Sequence, residues 1–278
     1  MKQKWITSAA IIILLTLGIA ATASAQAFSL LPLSPYSQNF DTLSNTAGST
    51  TNILILVGWF MTEGGGGARD NEQYAVDTGG STTGDTYSYG AAGSTERALG
   101  QLRSGTLTPL FGAAFVNNTN RTIGQLAVAY TCEEWRLGFA GRTDQMNFEY
   151  STNATDLTTG TWISVTALSC ITPDTVTTGA KNGNAAGERT LLSTTITGLN
   201  IPNGATFWIR WNDTDASNAD DGLAVDDFSL SLFSPLAVTV NDFSASPANA
   251  APLTLVAALG VVGTAGLVAV RRKRHTAA

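Results

Sequence analysis

The sequence predicts an all-β fold built from two packed antiparallel sheets, and three observations predict it. Residues 26–250 are rich in Thr, Gly, Asn and Ser and lack any long stretch of helical periodicity. Short alternating or β-branched runs recur along that stretch, nearly all of them separated by turn residues. About a dozen such runs are enough for a two-sheet sandwich of the jelly-roll kind.

The first element is a leader. Residues 1–25 carry Lys2 and Lys4, then an apolar stretch, then Ala23-Ser24-Ala25, the small-residue pattern of a signal peptide cut after Ala25. The expected strands follow at 52–59, 73–77, 86–89, 97–102, 113–116, 122–131, 135–139, 145–150, 161–165, 190–196, 205–211 and 223–232. Gly64 to Gly67 form a flexible connection without the Gly-Lys-Ser/Thr ending of a phosphate loop. Residues 174–189 read as a long exposed loop. The sandwich is therefore expected over 26–233 and a spacer or stalk over 234–251. Residues 252–270 are an apolar run that reaches about 28 Å as a helix, close to a bilayer's hydrocarbon core. Arg271, Arg272, Lys273 and Arg274 close it and mark 271–278 as a cytoplasmic tail.

Export at one end and a membrane anchor at the other place the domain outside the cell. Its exterior segment holds nine Lys and Arg against all 21 acids, a formal charge of −12. Such a surface repels phosphate backbones, which argues against nucleic-acid partners, and attracts cations. Cys132 and Cys170 both fall in this exported segment, so a disulfide between neighbouring strands is expected in an oxidising compartment.

The chemistry is limited by one absence. The sole histidine, His275, sits in the basic tail, so no Ser-His-Asp catalyst and no histidine zinc site can form outside. A mechanism using two carboxylates stays open, with Glu133, Glu134 and Glu149 as its candidates. The densest chemical signal is six aspartates within the fifteen residues from Asp213 to Asp227. Crowded carboxylates suit a hard cation with oxygen ligands, and Asp213, Asp215 and Asp220 form one such possible site; an acidic turn is the alternative. Among the aromatics that could stack on a sugar are Trp59, Tyr87, Tyr89, Trp135, Trp162, Trp208 and Trp211. Trp208 and Trp211, three apart in one strand, must face opposite ways.

Asn39-Phe40-Asp41, Glu134-Trp135-Arg136, Arg210-Trp211-Asn212-Asp213-Thr214-Asp215 and Asp221-Gly222-Leu223-Ala224-Val225-Asp226-Asp227 together resemble the landmarks of a group of secreted and surface-anchored bacterial jelly-roll domains. The opening and closing signatures are also similar to those of MAM domains and several carbohydrate-binding jelly rolls. The resemblance implies that the first and last strands lie side by side and that an acid from each holds a structural calcium. Residue by residue it implies Asp41 and Asp226 as ligands, with Asp227 beside them. The resemblance fixes the fold more than the function; the leading expectation is a non-catalytic surface domain for adhesion or glycan and matrix binding, with no ligand-binding residue named. An extracellular carbohydrate-active enzyme and a structural envelope protein are the alternatives. The order of leader, domain, stalk, apolar span and basic cluster resembles bacterial sorting tails, although neither Leu-Pro-x-Thr-Gly nor Pro-Glu-Pro precedes Pro252.

Overall fold

The computed structural model describes residues 26–31 and 34–233. The expected leader, stalk, membrane span and basic tail lie outside them. Among the described residues, no helix is long and apolar enough to cross a membrane. The chain forms β1 (Phe28–Leu30), β2 (Tyr36–Gln38), β3 (Trp59–Gly64), β4 (Ala75–Asp77) and β5 (Asp85–Tyr89). Then come β6 (Ala98–Leu102), β7 (Thr108–Asn117), β8 (Gln125–Leu137), β9 (Gln145–Ser151) and β10 (Ile163–Ser164). A 3-10 turn at Thr166–Leu168 precedes β11 (Cys170–Ile171), β12 (Gly179–Ala180), β13 (Arg189–Ile196), β14 (Thr206–Asp213) and β15 (Gly222–Phe233).

Two sheets result. The first runs β1-β7-β14-β9-β10, with β3 also on β7 and β11 on β9; the second runs β12-β8-β15-β6-β5-β4, with β13 on β8 and β2 on β15. Pairing is antiparallel except for β1 with β7 and β4 with β5. Alternation along each strand sends one set of side chains into the shared core. From the first sheet come Phe111, Phe115, Phe148, Phe207, Ile209 and Trp211, and from the second Leu126, Val128, Tyr130, Val225, Phe228 and Leu230, all fully or nearly fully buried. Trp211 is central, with ring centroids 5.3 to 5.9 Å from those of Trp59, Phe111, Tyr130, Phe148 and Phe228. Trp59 donates its indole N–H to the Tyr36 hydroxyl at 2.6 Å, so its one polar group is satisfied inside the core.

Cys132 and Cys170 are bonded, with Cα atoms 5.4 Å apart. The bridge differs from the neighbouring-strand link expected. Cys132 lies on β8 in one sheet and Cys170 on β11 in the other, so the bond spans the sandwich. Both residues face inward, and two inward-facing residues meet across the core rather than along a sheet.

Three strand expectations change. The runs at 122–131 and 135–139 are one thirteen-residue strand, β8, because Cys132-Glu133-Glu134 interrupt the apolar pattern without interrupting the backbone. Residues 52–58 join no sheet: Asn52 forms an isolated bridge with Tyr74, and the chain turns at Val57-Gly58, with Gly58 at φ 80°, before β3. Leu54 and Leu56 pack on the core while Ile53, Ile55 and Val57 stand exposed. The 174–189 loop contains β12 and lies against the outer face of the second sheet. There Gly183 meets Trp135 so closely that a Cβ would fall 2.4 Å from the indole nitrogen.

Candidate functional site

β15 kinks where it passes β8: the register shifts between Asp226 and Ser229, and Asp227 takes a left-handed φ of 49°. This bulge turns Asp227 into solvent and leaves Asp226 buried. Asp226 then converges with Glu133 of β8 and with Glu96, just ahead of β6. One carboxylate oxygen from each of the three lies within 4.8 Å of the other two, the single such acidic group among the described residues. Glu133 accepts the Trp135 indole N–H at 2.9 Å through Oε2, and Asp226 accepts the Asp227 main-chain N–H at 2.7 Å. Glu96 accepts from Asn184 of the covering loop. Oε1 of Glu96 and Oε1 of Glu133 are both buried without a hydrogen-bond partner. The neighbouring Arg97 guanidinium donates instead to Ser88 and to the Ala91 carbonyl. Burial, with the neighbouring acids adding to it, pushes the Asp226 carboxyl up to about 8 and that of Glu133 up to about 7. Three converging acids with two unsatisfied oxygens suit a hard cation that accepts oxygen ligands.

β2 pairs with β15, so the opening and closing signatures do adjoin. Asp41 is exposed but close to the group: its carboxylate accepts the Arg97 main-chain N–H, one residue beyond Glu96, at 3.2 Å. The converging oxygens thus belong to Asp226, Glu133 and Glu96, with Asp41 beside them and Asp227 turned away. Of the loop acids, Asp213 and Asp220 are buried, whereas Asp215 is exposed and stands 3.8 Å from Arg103.

The three glutamates raised as a catalytic set are not assembled. Glu133 and Glu134 are successive residues of β8 and point to opposite faces. Glu134 accepts the Asp174 N–H at 2.9 Å, and burial raises its carboxyl to about 8. Glu149 belongs to the other sheet, where Arg210 holds it through Nε and Nη2, each at 2.7 Å.

The outer face of the first sheet carries a second feature. Trp208 faces away from the core that Trp211 enters, and its ring lies 4.7 Å from that of Phe60. Together with Leu157 they floor a cavity of about 130 Å³, bordered by Thr62, Asp156 and Thr158. Asp156 is fixed by its own turn, accepting the N–H groups of Thr158 and Thr159 at 2.7 and 2.9 Å. Beside it Arg210 lies over Trp162, 4.0 Å from the ring centroid. Sequence reasoning named Trp208 and Trp162 and missed the rest. Asp156 and Thr158 belong to a loop whose only signal was its turn composition.

A separate buried acid, Asp85, lies 3.0 Å from Arg69, and burial with the nearby Glu63 charge raises its carboxyl to about 8. Glu63 accepts the N–H groups of Asn71, Glu72 and Thr86, which ties the Gly-rich connection down. In the unfolded chain Asp85 titrates near ~4. The folded state therefore keeps a proton that the unfolded state releases as pH climbs from about 4 to about 8, and Asp85 subtracts stability across that window. Thermal melts at pH 5 and pH 8 should show a smaller loss on going to pH 8 in Asp85→Asn than in the parent protein.

No family model matches this chain, and no curated protein matches it. Among solved structures, the K3 cleaved adhesin domain of Lys-gingipain from Porphyromonas gingivalis is 12% identical with a TM-score of 0.41, over 70% of this chain and 97% of that one. The CBM22-1 xylan-binding domain from Paenibacillus barcinonensis is 12% identical with a TM-score of 0.34, over 75% of this chain and 97% of that one. The enzymatically active domain of tailspike protein 4 from bacteriophage CBA120 is 11% identical with a TM-score of 0.32, over 63% of this chain and only 19% of that one. Likenesses this partial leave the activities of those proteins with those proteins.

Proposed function

We propose that this chain is a non-catalytic binding domain of the jelly-roll type, displayed outside the membrane and stabilised by calcium, that takes a glycan on the outer face of its first sheet. The Phe60–Trp208 cavity carries the ligand class. An aromatic floor with hydroxyl and carboxylate groups at the edge matches a sugar, which has an apolar ring face and a polar perimeter. Its volume suits a single ring, so any longer glycan would extend across the open surface. Asp156 is the one acid lining it, where hydrolysis by a carboxylate pair needs two, and this favours binding over turnover. Calcium would be held by Glu96, Glu133 and Asp226, tying β15 to β8 and to the chain before β6. The apolar ends of the chain would supply export and anchoring.

The test is binding of the purified protein to immobilised polysaccharides and glycan arrays. Parent protein should bind, Trp208→Ala should lose binding, and the milder Asp156→Asn and Thr158→Ala should weaken it while melting normally. Binding left intact in all three would remove the cavity from the account. Calcium should raise the melting temperature of the parent and raise that of Asp226→Asn by less. A parent melt that ignores both calcium and chelator would end the metal reading.

A further inference from the structure

A different group of acids closes one end of the sandwich, where β14 runs out into residues 214–221 and the chain enters β9. Asp144, Asp213, Asp220 and Asp221 are all buried there. Three of them are engaged. Asp144 accepts the N–H groups of Gln145 and Asp221 at 2.7 and 2.9 Å. Asp221 accepts the Gly138 N–H and the Thr172 hydroxyl, both at 2.6 Å. Asp220 accepts the Ala216 N–H at 2.9 Å. Arg142 stands 3.5 Å from Asp144 and 3.7 Å from Asp221, supplying one positive charge for two negative ones.

Asp213 has no such partner. It lies two residues beyond Trp211 on the same inward side of β14, and only 1% of its surface is exposed. Both carboxylate oxygens are buried, and among the described residues nothing donates to either. The nearby Arg103 directs Nη1 to the Asp213 main-chain carbonyl at 3.2 Å, and its buried Nε has no hydrogen-bond partner, so it does not bond the carboxylate. Burial raises the Asp213 carboxyl well above its ordinary value, and protonation would remove the charge yet leave the carboxyl without hydrogen-bond partners and add an O–H that needs an acceptor. Burying an unpaired carboxylate is costly, and the acids around it add repulsion.

The geometry points to a second divalent-cation site at this end of the sandwich, anchored by Asp213 and bordered by Asp220 and Asp144. It is independent of the group at Asp226. Among the described residues no three carboxylates converge here within the 4.8 Å seen there, so main-chain carbonyls and water would have to complete the shell. All-oxygen ligation with retained water is the chemistry of calcium or magnesium, and the two described cysteines are committed to their disulfide. Such an ion would join the end of β14 to the segment leading into β15, giving the acid-rich closing loop a fixed shape.

Equilibrium dialysis of chelator-stripped protein against calcium tests this by stoichiometry. The parent should bind two ions per chain, Asp213→Asn one, and Asp226→Asn one. Parent stoichiometry retained in Asp213→Asn overturns the second site. Loss of the only ion in Asp213→Asn, with Asp226→Asn unaffected, keeps this site and removes the one at Asp226. Melting adds a readout that a bridging water would not reproduce. Without calcium, Asp213→Asn should melt at or above the parent, because it removes a buried carboxyl that has no hydrogen-bond partner and is crowded by other acids; with calcium it should melt below. An equal calcium response in the two proteins is the overturning result. Should Asp213→Asn fail to fold, Asp220→Asn reads the same stoichiometry, with one ion lost expected and both retained overturning the site.

Discussion

Trp211→Ala should lower the melting temperature more than any other single replacement in this chain. Truncating a buried Trp costs about 3–5 kcal/mol, because the lost transfer free energy is joined by a cavity the neighbours fill only in part. Trp211 is fully buried, and five aromatic rings from both sheets close around it. None of those five can relax into the space without leaving another. For a domain of this size the loss corresponds to a fall of roughly 10 °C or more in Tm. Trp211→Phe should recover much of it by keeping one ring in place. Thermal denaturation followed by near-UV circular dichroism reads both variants. A Trp211→Ala protein melting within a few degrees of the parent would show that the two sheets are held together elsewhere.

Breaking the Cys132–Cys170 bond is the second large effect. The residues are 38 apart in sequence, and closing a loop of that length removes about 4 kcal/mol of chain entropy from the unfolded state in the simplest treatment. Both Cα atoms already sit at an ordinary bridging distance, so the native fold supplies the geometry without rearrangement. The Cys132→Ala, Cys170→Ala double variant should therefore fold to the same structure and melt roughly 10 °C lower. Reducing agent should destabilise the parent protein and leave the variant unchanged. The effect adds to that of Trp211 only in part, because both act across the same core.

The sandwich was legible because β14 obeys simple alternation and β15 does so on either side of its bulge. Trp211 and Trp208 face opposite ways, as an odd offset demands, and Val225, Phe228 and Leu230 enter the core around the bulge. Residues 52–58 misled for a physical reason. Their apolar run is as β-rich as any true strand, yet pairing depends on what lies beside them, and Gly58 turns the chain before a ladder forms. β1, β2, β11 and β12 are two or three residues long and are made by their neighbours rather than by their own composition.

The acidic site was half legible. Asp226 announced itself through the closing signature, whereas Glu96 and Glu133 had no sequence reason to join it. Glu133 comes from a strand more than ninety residues earlier, and only the register of β8 against β15 brings them together. Glu133 is buried although it borders the break in the apolar pattern of β8, and Trp135 donates its indole N–H to it. Asp156 and Thr158 were invisible because a turn that borders a cavity and a plain surface turn share one composition.

β15 has a mechanical consequence. It is an interior strand of its sheet, paired with β8 on one side and with β6 and β2 on the other, and the chain continues from its end at Phe233. Tension arriving from that direction runs along the strand, while its ladder hydrogen bonds lie across it. The load is then shared by many bonds in shear instead of opening them one at a time. Force applied at the outer face of the first sheet would reach β15 through the core and through the covalent tie from Cys170 to Cys132 on β8. A domain pulled between the outer face of its first sheet and the chain beyond Phe233 would resist along its strongest axis.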